Sequence, residues 1–334
     1  MNRKLVLILT VIVIITSIFI IEKNKPAVIN PGSVDLTSGL APEITDPTGF
    51  INTDKNISIH GLIGRKVVLV DFWTYSCINC QRTLPYLKAW YAKYKDQGLE
   101  IIGIHSPEFE FEKNYENVAH FVQQNGITYP VVLDSNMGTW NAYGNQYWPA
   151  DYLIDKTGKV VDTHFGEGGY AATEHEIQKL LGLMSDTSLV NPNAVSPTQS
   201  NLMSPETYFG SDRNQYFGNG KPGSPGIQTF IMPNGTDLNT FYLSGKWNVL
   251  GEYAETQDAN EKIVYRFQAK NVYFVAGSSN AIKIRILIDG KETQELTIQQ
   301  NTLYQVYAGN EFGEHVLEID VDGAGLQAYT FTFG

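Results

Sequence analysis

The sequence predicts two folded regions of different class behind an N-terminal helix: an α/β domain over residues 46–184 and an all-β domain over 205–334. Three observations predict this. Strand-like and helix-like runs alternate through the first region. Helical periodicity almost vanishes in the second. Between them, residues 185–204 carry Asn191-Pro192-Asn193, Ser196-Pro197-Thr198 and Ser204-Pro205, the composition of a linker. The length of 334 residues suits about two domains. Hydrophobic residues make up 43%, with 16 Phe and 19 Tyr, enough to build a core in each.

In chain order, Asn2-Arg3-Lys4 precedes an apolar run over residues 5–21, broken only by Thr10, Thr16 and Ser17. Its 17 residues are at the short end of what spans a bilayer. Basic residues in front favour a cytoplasmic N-terminus. Residues 1–25 are therefore expected to be a single membrane anchor with the rest of the chain outside the cytoplasm; a cleaved signal peptide is the alternative. Residues 26–45, rich in Pro, Gly and Ser, form a spacer.

Within 46–184, residues 67–70, 101–104, 130–133 and 152–154 are strand runs, and 84–94 and 118–122 have helical spacing. Asp155-Lys156-Thr157-Gly158-Lys159 marks a hairpin turn. Thr173-Glu174-His175-Glu176 has the pattern of a capping box opening a last helix through Leu183. In the second region, residues 282–288 alternate and meet Asp289-Gly290, a hairpin signal, and 316–321 and 329–333 alternate as well. An antiparallel β-sandwich or jelly roll is expected.

The formal net charge is −11, from 24 basic and 35 acidic residues, which argues against a nucleic-acid-binding surface. The chain has two cysteines, Cys77 and Cys80. No third thiol exists for a structural disulfide beside this pair or for a four-thiolate zinc site. The six histidines show no metal-ligand spacing, so no metal is expected. Cys77-x-x-Cys80 follows a strand and opens a helix, where the helix dipole and free N–H groups favour thiolate. That placement points to redox chemistry, with the Cys77–Cys80 disulfide itself as the redox group and no separate cofactor. Gly166-Glu167-Gly168-Gly169 lacks the lysine-and-strand context of a phosphate loop and is a turn.

Val70-Asp71-Phe72-Trp73 before the cysteines, and Pro85 five residues after Cys80, make the sequence resemble thioredoxin-fold proteins, and within them the membrane-anchored TlpA/ResA group. It is most similar to the extracytoplasmic part of DipZ-type proteins. The shared stretches include Asp71-Phe72-Trp73-Thr74-Tyr75-Ser76-Cys77-Ile78-Asn79-Cys80, His105-Ser106-Pro107-Glu108-Phe109, Trp148-Pro149-Ala150 and His164-Phe165-Gly166-Glu167-Gly168. They continue with Leu243-Ser244-Gly245-Lys246-Trp247 and the final Phe331-Thr332-Phe333-Gly334. DipZ-type proteins carry a multi-helix electron-transfer domain in front, where this chain has one apolar run.

The resemblance implies a thioredoxin-like α/β fold, a mixed central sheet flanked by helices. It makes Cys77 the nucleophile and Cys80 the thiol that resolves the mixed disulfide. Asp71 aligns with a buried acid that exchanges a proton with Cys80. Glu108 resembles an acid that opposes thiolate formation. Trp148-Pro149 resembles the cis-proline loop that binds substrate beside the thiols. Trp73 and Tyr75 are expected to wall the site, and His105 to pack. Expected partners are disulfide-containing extracytoplasmic proteins, with apocytochrome c and a methionine sulfoxide reductase among the open substrates, and a CcdA-like membrane electron donor. Ile78-Asn79 puts no cation between the thiols, so reduction is the expected direction. A disulfide-forming or isomerising role is the alternative. Thr74-x-x-Cys77 also matches the tail of a peroxiredoxin pattern, but Val70 stands where that pattern wants proline. The β domain could instead bind a glycan, with Trp247 or Tyr208 stacking on the sugar.

Overall fold

A computed structural model describes residues 39–54, 57–183, 188–192 and 202–334. The expected N-terminal helix and most of both linkers lie outside them. No helix among the described residues is long and apolar enough to cross a membrane.

The first domain runs β1 (Gly49–Ile51), α1 (Ile59–Leu62), β2 (Val67–Trp73), α2 (Ile78–Tyr94), β3 (Leu99–His105), α3 (Tyr115–Gln124), β4 (Val131–Leu133), α4 (Gly138–Ala142), β5 (Ala150–Ile154), β6 (Val160–Phe165) and α5 (Tyr170–Leu181). The six strands form one mixed sheet in the order β1-β4-β3-β2-β5-β6. β2, β3 and β4 are parallel, and β1, β5 and β6 join antiparallel. All seven residues of β2 are buried, as a near-continuous apolar run in a two-sided sheet requires. Alternation splits them between two cores. Val67, Leu69 and Trp73 pack with Leu84, Leu87 and Trp90 of α2 and Val118 of α3. Val68, Val70 and Phe72 pack with Ile59 of α1, Trp140 of α4 and Tyr152. Asp71 falls on the α2 side, a lone carboxylate in an apolar row.

One boundary differs from the sequence reading. The last helix starts at Tyr170, after Gly169 in a left-handed conformation (φ 64), and not at the Thr173 capping box. Thr173 and Glu174 are buried inside it. Glu174 accepts hydrogen bonds from Trp90 Nε1 (3.2 Å) and Tyr94 Oη (2.6 Å), and Tyr170 stacks on Tyr86 at 3.6 Å between centroids. Tertiary contacts to α2 extend the helix past its local signal.

The named strands of the second domain pair antiparallel: β7 (Thr207–Tyr208), β8 (Gly226–Phe230), β9 (Thr240–Val249), β10 (Ala254–Thr256), β11 (Glu261–Gly277), β12 (Ile282–Ile288), β13 (Lys291–Ile298), β14 (Thr302–Val321) and β15 (Gln327–Phe333). Asp289 (φ 52) and Gly290 (φ 75) form the expected β12–β13 turn, both residues left-handed. The β-rich class agrees with the sequence reading, but the hydrogen bonding does not divide into two sheets. One nine-stranded ladder runs β13-β12-β14-β11-β15-β10-β9-β8, with β7 on β15. The long β11 and β14 carry register shifts at Ala269/Asn271 and Val272/Tyr273, which bend strands and raise their twist. β9 comes close to β11 without sharing its ladder, so the sheet curls back on one core that includes Phe209, Trp247, Phe267 and Phe331.

That core corrects the glycan-stacking assignment. Trp247 is fully buried, with Nε1 donating to Ser244 O at 2.9 Å. It fills the β domain and presents no face to a sugar.

Candidate active site

The parallel β2 ends at Trp73, and the chain turns through Thr74–Ser76 into α2. Cys77 is the N-cap of this 17-residue helix, and its Sγ accepts a hydrogen bond from Cys80 N–H at 3.3 Å. Capping by a sulfur uses a donor that the first helical turn otherwise leaves free. Cys77 is half-buried and Cys80 buried. Burial pushes the Cys80 thiol well up, and the nearby Cys77 and Asp71 add to the rise. One thiol is thus placed to react and the other is held as a neutral thiol behind it.

Asp71, 1% exposed, lies beneath Cys80. A cavity of about 10 Å³ touches Asp71, Cys80, Trp73 and Tyr129, room for about one water. Burial, and then the charge of Asp151, raise Asp71 well above the usual carboxylate range. Gly103, its partner on β3, keeps this corner open: a Cβ there would sit 2.9 Å from Trp73 Nε1 and 3.1 Å from the Tyr129 ring.

The Trp148–Pro149 peptide is cis. Trp148 is held by Nε1 donating to Ser106 O at 2.9 Å and by packing on Trp140. Trp148 and Cys77 line one cleft of about 780 Å³, within the usual range for ligand sites. The far wall of that cleft is the β domain, through Tyr208, Arg213, Thr330 and Phe333. The two domains meet through Phe109 and Phe111 against Tyr329 (5.1 and 4.8 Å between centroids). They are also joined by Tyr75 Oη donating to Asn301 O at 3.2 Å and by Arg82 over the Tyr273 ring.

Three expected roles change on this geometry. Trp73 and Tyr75 do not wall the cleft. They are 4% and 3% exposed, and both pack on His105 in the core. Glu108 does line the cleft, but its carboxylate is taken up by the β domain: Arg213 Nη1 donates to Oε1 at 2.7 Å and Tyr208 Oη at 2.8 Å. Its charge therefore reaches the thiols already paired, and Tyr208 is occupied rather than free to stack. His105 packs as expected; burial lowers its pKa to about 3, so it is neutral.

Three residues escaped the sequence reading. Glu112, on a 3₁₀ turn over Glu110–Lys113, is fully buried beside the thiol loop. Its Oε1 accepts from Ser76 Oγ at 2.5 Å, and its Oε2 from the N–H groups of Glu108 (2.6 Å) and Phe109 (3.0 Å). Burial and the Glu108 charge raise it from 4.5 to about 7. Asp151 lies opposite Asp71 on β5, 5% exposed. Its signal was present: in Trp148-Pro149-Ala150-Asp151-Tyr152-Leu153, Asp151 shares the inward face of Leu153. Arg213, in a loop of the other domain, left no local signal.

A parallel βαβ unit with a dithiol heading its helix, a cis-proline loop beside it and a buried acid beneath defines a thioredoxin-like thiol–disulfide oxidoreductase. The comparisons agree. A model described as "AhpC/TSA family" matches residues 39–163, and one described as "Thioredoxin like C-terminal domain" matches 204–334. The chain is 30% identical over 140 residues to thiol-disulfide oxidoreductase YkuV of Bacillus subtilis, covering 42% of this chain and 93% of that protein. It is 35% identical over 134 residues to thiol-disulfide oxidoreductase ResA of Bacillus thuringiensis, covering 39% and 74%. The chain belongs to this family of thiol–disulfide oxidoreductases. It is also similar to protein DipZ of Mycobacterium tuberculosis, 40% identical over 311 residues, which cover 91% of this chain. The match spans 44% of that protein, less than half its length.

Proposed function

We propose that the protein is a membrane-anchored extracytoplasmic reductase of protein disulfides. One observation carries the redox assignment: Cys77 caps α2 and opens on the cleft shared with Trp148, while Cys80 is buried above Asp71. The Cys77 thiolate attacks a substrate disulfide and releases the first substrate thiolate. Cys80 gives its proton to the acid below, attacks Cys77 Sγ, and frees the second thiolate as the Cys77–Cys80 disulfide forms. Two electrons pass to the substrate. The Trp148-Pro149 loop holds the substrate chain against Cys77.

The direction rests on Ile78 and Asn79, which bring no cation to stabilise the Cys77 thiolate. Export and anchoring rest on the apolar run of residues 5–21 behind Asn2-Arg3-Lys4. Outside the cytoplasm the dithiol must be recharged, and a CcdA-like membrane donor fits that need. The substrates are disulfide-containing extracytoplasmic proteins. Measuring the reduction potential of the pair tests the direction. A reductase should lie well below the roughly −120 mV of strong oxidants, and a value near that figure would turn the reading to disulfide formation.

A further inference from the structure

The sheet brings a second buried acid to the thiol pair. β2 and β5 run antiparallel with Asp71 directly opposite Asp151. Side chains opposed in this way have Cβ atoms about 4.5–5.5 Å apart. The two carboxyls are within hydrogen-bonding reach of each other, yet each keeps a buried Oδ1 with no donor. The titratable groups facing them are Cys80, with Cys77 behind it, from α2; Tyr129 ahead of β4; and Asp162 and His164 from β6. None of these is a lysine or arginine, and His164 Nε2 is itself buried without a partner.

Two ionised carboxylates offer each other only acceptors, and in a dry site they repel. A single proton between them supplies the missing donor. We propose that Asp71 and Asp151 act as one unit, a carboxylate pair sharing one proton, in which Asp151 keeps Asp71 able to take the proton of Cys80 at neutral pH. A buried Asp71 without Asp151 would have to carry its negative charge with no hydrogen-bond donor beside it. The pair ionises once and keeps its internal hydrogen bond. Burial raises Asp151 to about 7, in keeping with a first ionisation near neutrality. When Cys80 attacks Cys77 Sγ, its proton passes to the singly charged pair, which becomes neutral. The sulfur–sulfur bond to the substrate breaks, the Cys77–Cys80 bond forms, and the pair later returns one proton to solvent. Asp151 is a positioning residue, because it acts through Asp71. The inference rests on the order of attack proposed above.

The test is a stopped-flow reaction of the reduced full-length protein with 5,5′-dithiobis(2-nitrobenzoate). Attack by Cys77 releases one aryl thiolate, and attack by Cys80 releases the second. Asp151→Asn should slow the second phase about tenfold or more at neutral pH and leave the first within about twofold. It should also displace the rise of the second phase with pH, centred near 7 in the wild type. Asp71→Asn should do the same. The double variant should be no slower than the worse single, as expected of groups that act as a unit. A wild-type second phase and pH profile in Asp151→Asn, or losses that multiply in the double variant, would overturn the proposal. Should the variants fail to fold, infrared spectra in a Glu112→Gln, Glu206→Gln background, which removes the other carboxyls raised to about 7 and about 8, supply a second reading. A protonated carboxyl band at neutral pH that fades as pH rises supports the shared proton, and its absence refutes it. Release of an aryl thiolate by Cys77→Ser would overturn the order of attack instead.

Discussion

Glu112 is a group whose charge the fold resists. It is fully buried, and its pKa moves from 4.5 to about 7 because burial disfavours the carboxylate and Glu108 repels it. The sign follows from linkage: an acid that holds its proton more tightly folded than unfolded lowers stability as pH rises between the two values. At 1.36 kcal/mol per pH unit, ionising Glu112 costs the folded state about 3 kcal/mol by the time pH passes 7. Glu112→Gln removes that cost. The amide oxygen can still accept from the Glu108 and Phe109 N–H groups, and its NH₂ can donate to Ser76, so the exchange of hydrogen bonds should cost about 1 kcal/mol at every pH. Urea unfolding of the reduced wild type and variant, at about pH 4.5 and about pH 8, measures the difference. The variant should gain about 3 kcal/mol on the wild type between those conditions, with the other titrating groups cancelling in the comparison. Curves that stay parallel within about 1 kcal/mol would refute the assignment of the raised acid to Glu112. Since Ser76 precedes Cys77, the same titration changes the footing of the thiol loop.

Cys80→Ser should accumulate mixed disulfides at Cys77 when exposed to extracytoplasmic extracts, and Cys77→Ser should trap none; non-reducing gels decide. Arg213→Ala leaves the Glu108 carboxylate in the cleft without its cation, so alkylation of Cys77 should need higher pH, read from the pH profile of iodoacetamide labelling. The same change should cost about 1 kcal/mol of stability, discounted because the arginine side chain is 40% exposed. Trp247→Ala should destabilise the β domain by about 3–5 kcal/mol in a denaturant titration, as loss of a fully buried indole does.

Much of this was legible in the chain, and the failures have physical causes. The apolar run over 67–70 and the Cys77-x-x-Cys80 spacing are local signals, and each led to the right element. Asp71 was readable through the resemblance, which aligns it with a buried acid, and the structure buries it at 1% exposure. Trp73 and Tyr75 were misplaced because an aromatic beside a thiol has the same sequence whether it faces substrate or His105. Glu108 was misjudged because its charge is set by Arg213, 105 residues away. Glu112 looked like one more acid in a polar stretch, and only the fold of the 3₁₀ turn buries it. The two-sheet expectation for the β domain failed for a related reason. Alternation fixes which face a residue takes but says nothing of whether long, bulged strands join both layers into one ladder.

The place of β15 bears on how the enzyme comes into being. Residues 327–333 are not an edge strand: they lie between β11 and β10 and bring Thr330 and Phe333 to the wall facing Cys77. A polypeptide emerging N-terminus first can fold its dithiol domain early, because β2, α2 and β3 are neighbours in sequence. Its reaction chamber cannot close until the segment beyond residue 326 has been delivered and threaded between strands already waiting for it. Pairing over such separations is slow. A chain halted before that point leaves Cys77 without the wall that Thr330 and Phe333 supply, so β15 completes the surface that a disulfide meets beside the thiol.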